Sequence, residues 1–273
     1  MSDALVTDSV ARALSVESLE RVSRDEPTWL KERRSHAWSV YEATPMPTTK
    51  LEEWRYTDLS KKLDLETLSL SEAETAPDDP SAWPARLRAT MDEDHAASGH
   101  IVFIDGHVVH ADLDSDLASQ GVVLKSLHEA VDSHAELVQE HLATEALPPE
   151  EGKFSSLNAA LWVDGIFLFV PKGVQLELPI RVTRWLSEAG TAYMSRVLIV
   201  AENHSQVSYV DEVVSNDFTT QMFTSTAAEV IAKDGAQVQF VSVQRLGRGS
   251  FYHSVQRTLC LLYTSPSPRD ATL

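Results

Sequence analysis

Cysteine is almost missing from this sequence: Cys260 is the single one in 273 residues. A lone thiol forms no internal disulfide and holds no metal by itself, so neither a disulfide framework nor a thiolate centre organises the chain. Long apolar runs are missing too, and none reaches the ~18 residues that a membrane-spanning helix needs. Met1 to Ala11 carries acids and no basic-then-apolar leader pattern, which makes the cytoplasm the expected compartment. No Gly-rich phosphate loop, His-Glu-x-x-His or Cys-x-x-Cys string occurs. Basic charge is scarce in the front half: residues 1–150 hold 30 acids against 13 bases, and residues 151–273 hold 11 against 10. The resulting net charge of −18 speaks first to solubility. It also disfavours nucleic acid, whose binding rests on Lys and Arg displacing counterions from phosphates.

What is present begins with helical patterning. Hydrophobic residues make up 43% of the chain, enough for a sizeable core. The spacing of Val10, Leu14 and Leu19 predicts a helix within Val6 to Arg24. Pro27 suits the start of a second, amphipathic helix carrying Trp29, Leu30, Ala37, Trp38 and Tyr41. The Thr44-Pro45-Met46-Pro47-Thr48 run breaks it, and residues 71–84 read as a polar loop. The period then changes. His100 to Val109 reads as strand, Asp105-Gly106 turn, strand. One more helix is expected at Ser133 to Ala146, before Pro148-Pro149, and the chain from Phe154 onward reads as β-rich.

That β-rich region repeats itself. Val200 to Val210 aligns with Ile231 to Val241 at an offset of 31 residues without a gap, and Val170-Pro171-Lys172-Gly173-Val174 is an imperfect earlier copy. A fixed strand–turn–strand period means stacked coils, each burying its apolar face on its neighbours. The expected fold is therefore mainly β: a parallel β-helix, or solenoid, preceded by an N-terminal α-helical region. A β-sandwich also has many short strands, but it does not require similar residues to recur in register.

Candidate chemistry is thin. His107 and His110 differ in parity and so do not share a strand face, while His134 and His141 are spaced to share a helix face. Zinc needs three or four convergent ligands, so these histidines are expected at the surface, solvated or hydrogen-bonded. Asp211-Glu212 reads as a solvated turn, because adjacent strand residues point to opposite faces and do not form a glycosidase pair. Gly247-Arg248-Gly249-Ser250 reads as a turn between coils.

Two longer strings stand out. In Lys50-Leu51-Glu52-Glu53-Trp54-Arg55-Tyr56-Thr57-Asp58-Leu59, Trp54 and Tyr56 are expected to anchor the segment on the main body. Arg55 is expected to stack on an aromatic ring or fork to a carboxylate, and Thr57 or Asp58 to cap the next stretch of chain. The second string runs from Phe154-Ser155-Ser156-Leu157-Asn158-Ala159-Ala160 through Asp164-Gly165 and Pro171-Lys172-Gly173-Val174 to Pro179-Ile180. Here Asp164-Gly165 reads as a tight turn, Gly173 as a position of positive φ, and Pro171 and Pro179 as strand ends. Asn158 is expected to cap a turn or to bond backbone between coils.

The first string resembles the E-x-W-R-Y-T segment near the start of SufD proteins. The second resembles the F-x-x-L-N-x-A, D-G, P-x-G-V, P-I succession of the SufB/SufD core, and together the resemblance covers roughly residues 25–258. The Trp-Arg-Tyr string favours SufD over its paralogue SufB. Membership of the SufB/SufD family implies a right-handed parallel β-helix behind an N-terminal helical region. It places that region at residues 1–95 and the start of the core at 96–259, with an inserted helix near 133–146. It also implies a non-catalytic scaffold subunit of the SUF iron–sulfur cluster assembly complex, working with a SufB-like paralogue and a SufC-like ATPase. The family's late cysteine and histidine residues and its SufC-docking helices have no counterpart here. No catalytic or metal residue is therefore assigned, and an iron–sulfur cluster or flavin is expected only in the full complex. Two other readings remain: a carbohydrate-active β-helix enzyme, which would need acids or basic residues clustered on one face of the coils, and a purely structural solenoid.

The tail reads differently. Cys260-Leu261-Leu262-Tyr263-Thr264-Ser265-Pro266-Ser267-Pro268-Arg269-Asp270 resembles, at every position, the translation of a transposase sequencing adapter. Residues 260–273 are accordingly expected to be non-native, with the native chain continuing elsewhere and Cys260 carrying no function.

Overall fold

The computed structural model describes residues 14–71, 76–77, 79–92 and 96–260. The first predicted helix and the proposed adapter segment therefore lie partly outside the described residues. Within them, α1 spans Val16–Val22 behind an N-cap at Ser15, whose side chain accepts from the Ser18 amide. Helix α2 spans Thr28–Ala43 and starts directly after Pro27. Strand β1 (Ser69–Leu70), a short 3-10 turn at Pro80–Ala82 and α3 (Ala85–Asp92) come next.

Strands β2 (Gly99–Ile104) and β3 (His107–Leu113) form the antiparallel hairpin expected there. Asp105 and Gly106 turn it with φ of 46° and 94°, the positive values that a two-residue hairpin turn demands at both central positions. Beyond it lie α4 (Ser115–Ser119), β4 (Val123–Ser126), α5 (Leu127–Ser133) and α6 (Ala135–His141). The single helix expected at 133–146 is thus two shorter ones, displaced toward the N-terminus and broken at His134, whose ψ of 39° is not helical. Helix α7 (Lys153–Leu161) occupies the stretch from Phe154 that read as the onset of β structure. All eight residues from Phe154 to Leu161 are buried, so the helix lacks the polar face that would mark it in sequence.

The solenoid proper comprises β5 (Asp164–Val170), β6 (Ile180–Leu186), β7 (Thr191–Ala201), β8 (Gln206–Ser215), β9 (Met222–Ala232), β10 (Gln237–Arg245) and β11 (Ser250–Cys260). Successive strands alternate between two sheets. One has the order β11-β9-β7-β5-β4, with β1 beside β7, and the other the order β10-β8-β6-β2-β3. Every contact from β5 to β11 within a sheet is parallel. The repeat sets the register: Val200 pairs with Ile231 and Tyr209 with Phe240, 31 positions on. This is a solenoid of three turns with a fourth begun, not a sandwich. Two antiparallel strands, β3 and β4, close the N-terminal edge of the two sheets.

Side-chain parity divides the core. Ile166, Leu168, Val197, Ile199, Ala228 and Val230 point between the sheets, against Ile101, Phe103, Val182 and Tyr209. The other face of the first sheet, through Met194, Leu198, Val200, Phe223 and Ile231, packs on the helical layer, represented by Leu30, Trp38, Leu157, Leu161 and Trp162. A smaller cluster of Trp83, Leu87, Val102, Trp185 and Val214 seats α3 on the outside of the second sheet.

Candidate functional site

The Glu52–Trp54 3-10 turn presents Trp54 to the last strand. Its indole stacks on the His253 imidazole, with centroids 5.9 Å apart and planes 10° apart, and tilts against Phe154 at 5.3 Å. His253 lies in turn 4.6 Å from Phe154. Burial pushes His253 down to about 4, so the ring is neutral at physiological pH. A groove of about 510 Å³ opens beside this trio, also lined by Pro45, Lys153 and Arg257. His253 Nδ1 lies 3.3 Å from the buried Ser225 hydroxyl.

Tyr56 behaves otherwise than expected. It does not anchor the segment but stands 89% exposed, because the turn that half-buries Trp54 aims it outward. Arg55 lies over the Tyr56 ring at 5.7 Å and reaches Glu52 at 3.4 Å. Glu53 is exposed, and the Thr57 amide donates to the Trp54 carbonyl. Asp58 stands at the N-cap position of the 3-10 turn Leu59–Lys61 without a side-chain cap hydrogen bond, and its carboxylate accepts from Ser60 Oγ and from Lys61 Nζ at 2.8 Å. Trp54→Ala should cost roughly 2–3 kcal/mol by thermal unfolding, toward the lower end for loss of a packed indole. Tyr56→Ala should stay within about 0.5 kcal/mol, as exposed positions do.

Asn158 has a different station. From α7 its Nδ2 donates to the carbonyls of Ser195 and Ser225, 3.0 Å each, bridging two consecutive rungs of the first sheet. Its Oδ1 accepts from Arg196, whose Nε bonds Glu229 Oε1 at 2.8 Å and whose Nη2 bonds the Leu147 carbonyl. Arg196 and Glu229 are both fully buried. Glu229 also accepts the amide of Ala143 on both oxygens, holding that residue at a φ of 52°. Nearby, Arg34 forks to Glu26, donates to the carbonyls of Ala160 and Trp162 at the end of α7, and stacks on Trp162 at 3.9 Å. The helical layer is tied to the solenoid through buried, paired charge.

Asp164-Gly165 is not a turn. Both residues open β5, where Asp164 is buried between the sheets and Gly165 lies so close to β7 that an added Cβ would meet the Arg196 carbonyl at 2.7 Å. The glycine is there for close approach, not for turning. Arg184 Nε donates to Asp164 at 3.2 Å, Arg184 Nη1 to Asp211, and the Tyr193 hydroxyl to Asp164. Despite burial, Asp211 and Asp164 hold Arg184 well above its ordinary value. Burial drives Tyr193 and Tyr209 well above theirs. Asp211-Glu212 is likewise no solvated turn, for both residues are buried on β8. Their side chains do take opposite faces: Asp211 meets Arg184 inside, and Glu212 meets Arg181 at 3.4 Å and Arg245 at 2.9 Å outside.

Pro171 directly follows β5, Pro179 directly precedes β6, and Gly173 has a φ of 74° in the turn between them. Gly249, in the predicted Gly247–Ser250 turn, has a φ of 83°. His100 bonds the Thr183 hydroxyl at 3.0 Å, and burial, followed by Arg181 and His110, lowers it to about 4. His134 is itself the break between α5 and α6, and His141 is the last residue of α6. Among the described residues, no three His, Cys, Asp or Glu side chains converge in a way that could hold a metal. No helix among them is long and apolar enough to cross a membrane.

Sequence reasoning passed over Arg34, Arg184, Arg196, Glu229 and His253, and read Asp211 as part of a solvated turn. The signal was a solitary charge inside an apolar strand, as in Ser195-Arg196-Val197-Leu198-Ile199-Val200. Alternation reads such a charge as facing water, unless both faces of the strand are covered.

Comparison with known proteins agrees with this architecture. Residues 13–182 match the family model described as the SufBD protein N-terminal region, and residues 184–262 match that of the SUF system FeS cluster assembly SufBD core domain. The chain is similar to the iron–sulfur cluster assembly protein SufD of Bacillus subtilis (strain 168), 32% identical over 228 residues, covering 82% of this chain and 50% of that protein. It is similar as well to SufB of the same organism, 27% identical over 258 residues, covering 91% of this chain and 54% of that one. A SufBD family protein of Staphylococcus haemolyticus (strain JCSC1435) is 24% identical over 255 residues, 93% of this chain and 53% of its own length. The chain spans about half the length of these relatives.

Proposed function

The chain belongs to the SufB/SufD family, and from that premise we propose that it is a non-catalytic scaffold subunit in SUF-type iron–sulfur cluster assembly, acting in the cytoplasm. One observation carries the reading. The ionisable groups buried in the solenoid and at its seam with the helices, Arg34, Asp164, Arg184, Arg196, Asp211 and Glu229, are engaged with one another or with backbone. Such groups hold turns and layers in place; they do not face a substrate cavity. An acid pair facing one cleft, as a polysaccharide-cleaving β-helix would use, is not formed by Asp211 and Glu212, which lie on opposite faces of their strand.

The partners we propose are a SufB-like paralogue and a SufC-like ATPase, with the iron–sulfur cluster as cargo of the assembled complex and any flavin bound there as well. The test is co-purification of the complete gene product with both partners expressed from the same operon. A stable ternary complex that accumulates cluster absorbance on supply of iron and sulfide is expected. A full-length product that binds neither partner would overturn the proposal, and turnover of a sugar polymer would replace it with the enzymatic reading.

A further inference from the structure

Two carboxylates share one guanidinium between the first and second turns of the solenoid. Arg184, on β6, donates to Asp164 of β5 through Nε at 3.2 Å and to Asp211 of β8 through Nη1. All three side chains are at most 1% exposed. The other titratable groups facing the cluster are Tyr193 of β7, which donates to Asp164, Tyr209 of β8, and Asp105 from the β2–β3 turn. None of these is a cation. With both carboxylates ionised, the cluster carries one negative charge in excess in a buried interior. Oxygen Oδ1 of Asp164 accepts no hydrogen bond among the described residues, and neither does Oδ2 of Asp211.

We propose that Asp164 is a proton-operated latch between the first two turns: protonated at Oδ1 it leaves a neutral cluster that locks β5, β6, β7 and β8 together, and ionised it loosens that seam. We assign the proton to Asp164, which meets the guanidinium through Nε alone and leaves Oδ1 without a donor. The electrostatics agree in direction. Burial raises the Asp164 carboxyl to about 6 against the pull of Arg184 and Tyr193, and the charge of Asp211 adds to the rise. The folded chain therefore binds this proton more tightly than the unfolded chain. The stabilisation is fully present below the ordinary carboxylate value of about 4 and is lost as pH climbs through about 6.

Hydrogen exchange of the full chain, corrected for the intrinsic pH dependence of amide exchange, tests this. Between pH 5 and 8 the amides of residues 164–166 and 193–196 should lose protection by roughly tenfold. That is a factor of about ten in the opening equilibrium for the one pH unit of this window that lies below about 6. Asp164→Asn, which keeps both acceptor contacts, should make that protection independent of pH. A flat wild-type profile, a slope that survives Asp164→Asn, or a slope abolished only by Asp211→Asn would each overturn the latch. Infrared spectra of wild-type chain labelled at aspartate carboxyls provide a measurement that needs no variant. A protonated-carboxyl band present at pH 5 and gone by pH 8 is expected, and its absence at pH 5 overturns the assignment.

Discussion

Glu229→Ala should destabilise the chain by roughly 3–5 kcal/mol at any pH between 5 and 8, the cost of leaving one member of a buried ion pair alone. Against a typical total of about 5–15 kcal/mol, that loss brings the chain close to unfolding. The substitution strands the fully buried Arg196 guanidinium, which keeps only Asn158 Oδ1 and the Leu147 carbonyl as partners. It also removes both acceptors of the Ala143 amide, at a residue held in the left-handed region. Acid does not rescue the variant, because a guanidinium has no neutral form within reach. Replacing the pair together, Arg196→Met with Glu229→Leu, should recover much of the loss, since an apolar pair of similar volume carries no desolvation cost. Urea unfolding of the single and double variants checks this. A single variant within about 1 kcal/mol of wild type would mean that the seam between helices and solenoid is not held by this pair.

The sequence exposed the architecture and hid the seam for one reason. Apolar side chains recur at 31 positions because each turn must present the same face to the next, so Val200 and Ile231, or Tyr209 and Phe240, announce the stacking directly. The period is looser where turns differ in length. Met222 pairs with Ser250 at 28 positions and Ile180 with Tyr209 at 29, so simple alignment misses the β9–β11 and β6–β8 steps. Helix α7 escaped because it is buried all round, and Asp164-Gly165 escaped because Asp-Gly is read as a turn wherever strands are short. Trp54 was legible as an anchor; that Tyr56 points away from the body depends on a 3-10 turn whose sense the residue types do not encode. Buried charges are the hardest case. The same Arg-x-x-Arg spacing in Ile180-Arg181-Val182-Thr183-Arg184 puts one guanidinium outside with Glu212 and the other inside with two aspartates. Only the partners, distant in sequence, tell them apart.

Arg184→Met is expected to cost a similar amount to Glu229→Ala near neutrality, about 3–5 kcal/mol, and then to depart from it on acidification. The difference lies in the sign of the charge left behind. Removing Arg184 abandons Asp164 and Asp211, both buried on strands that face each other across the interior. A carboxylate, unlike a guanidinium, can escape its predicament by taking a proton. At pH 7.5 neutralising an ordinary aspartate costs about 5 kcal/mol, and at pH 5 about 1.5 kcal/mol, at 1.36 kcal/mol per pH unit. Within this cluster, wild type gains over the same interval from the rise in Asp164 to about 6 and a rise in Asp211 that Arg184 restrains, a smaller change. The gap between Arg184→Met and wild type should therefore narrow by at least half between pH 7.5 and pH 5, whereas the gap for Glu229→Ala stays constant. Parallel unfolding curves for the two variants across that range would show that Asp164 and Asp211 reach water once Arg184 is gone. The interior between the first two turns would then be wet, not dry, and the proton-linked latch would lose its physical basis along with it.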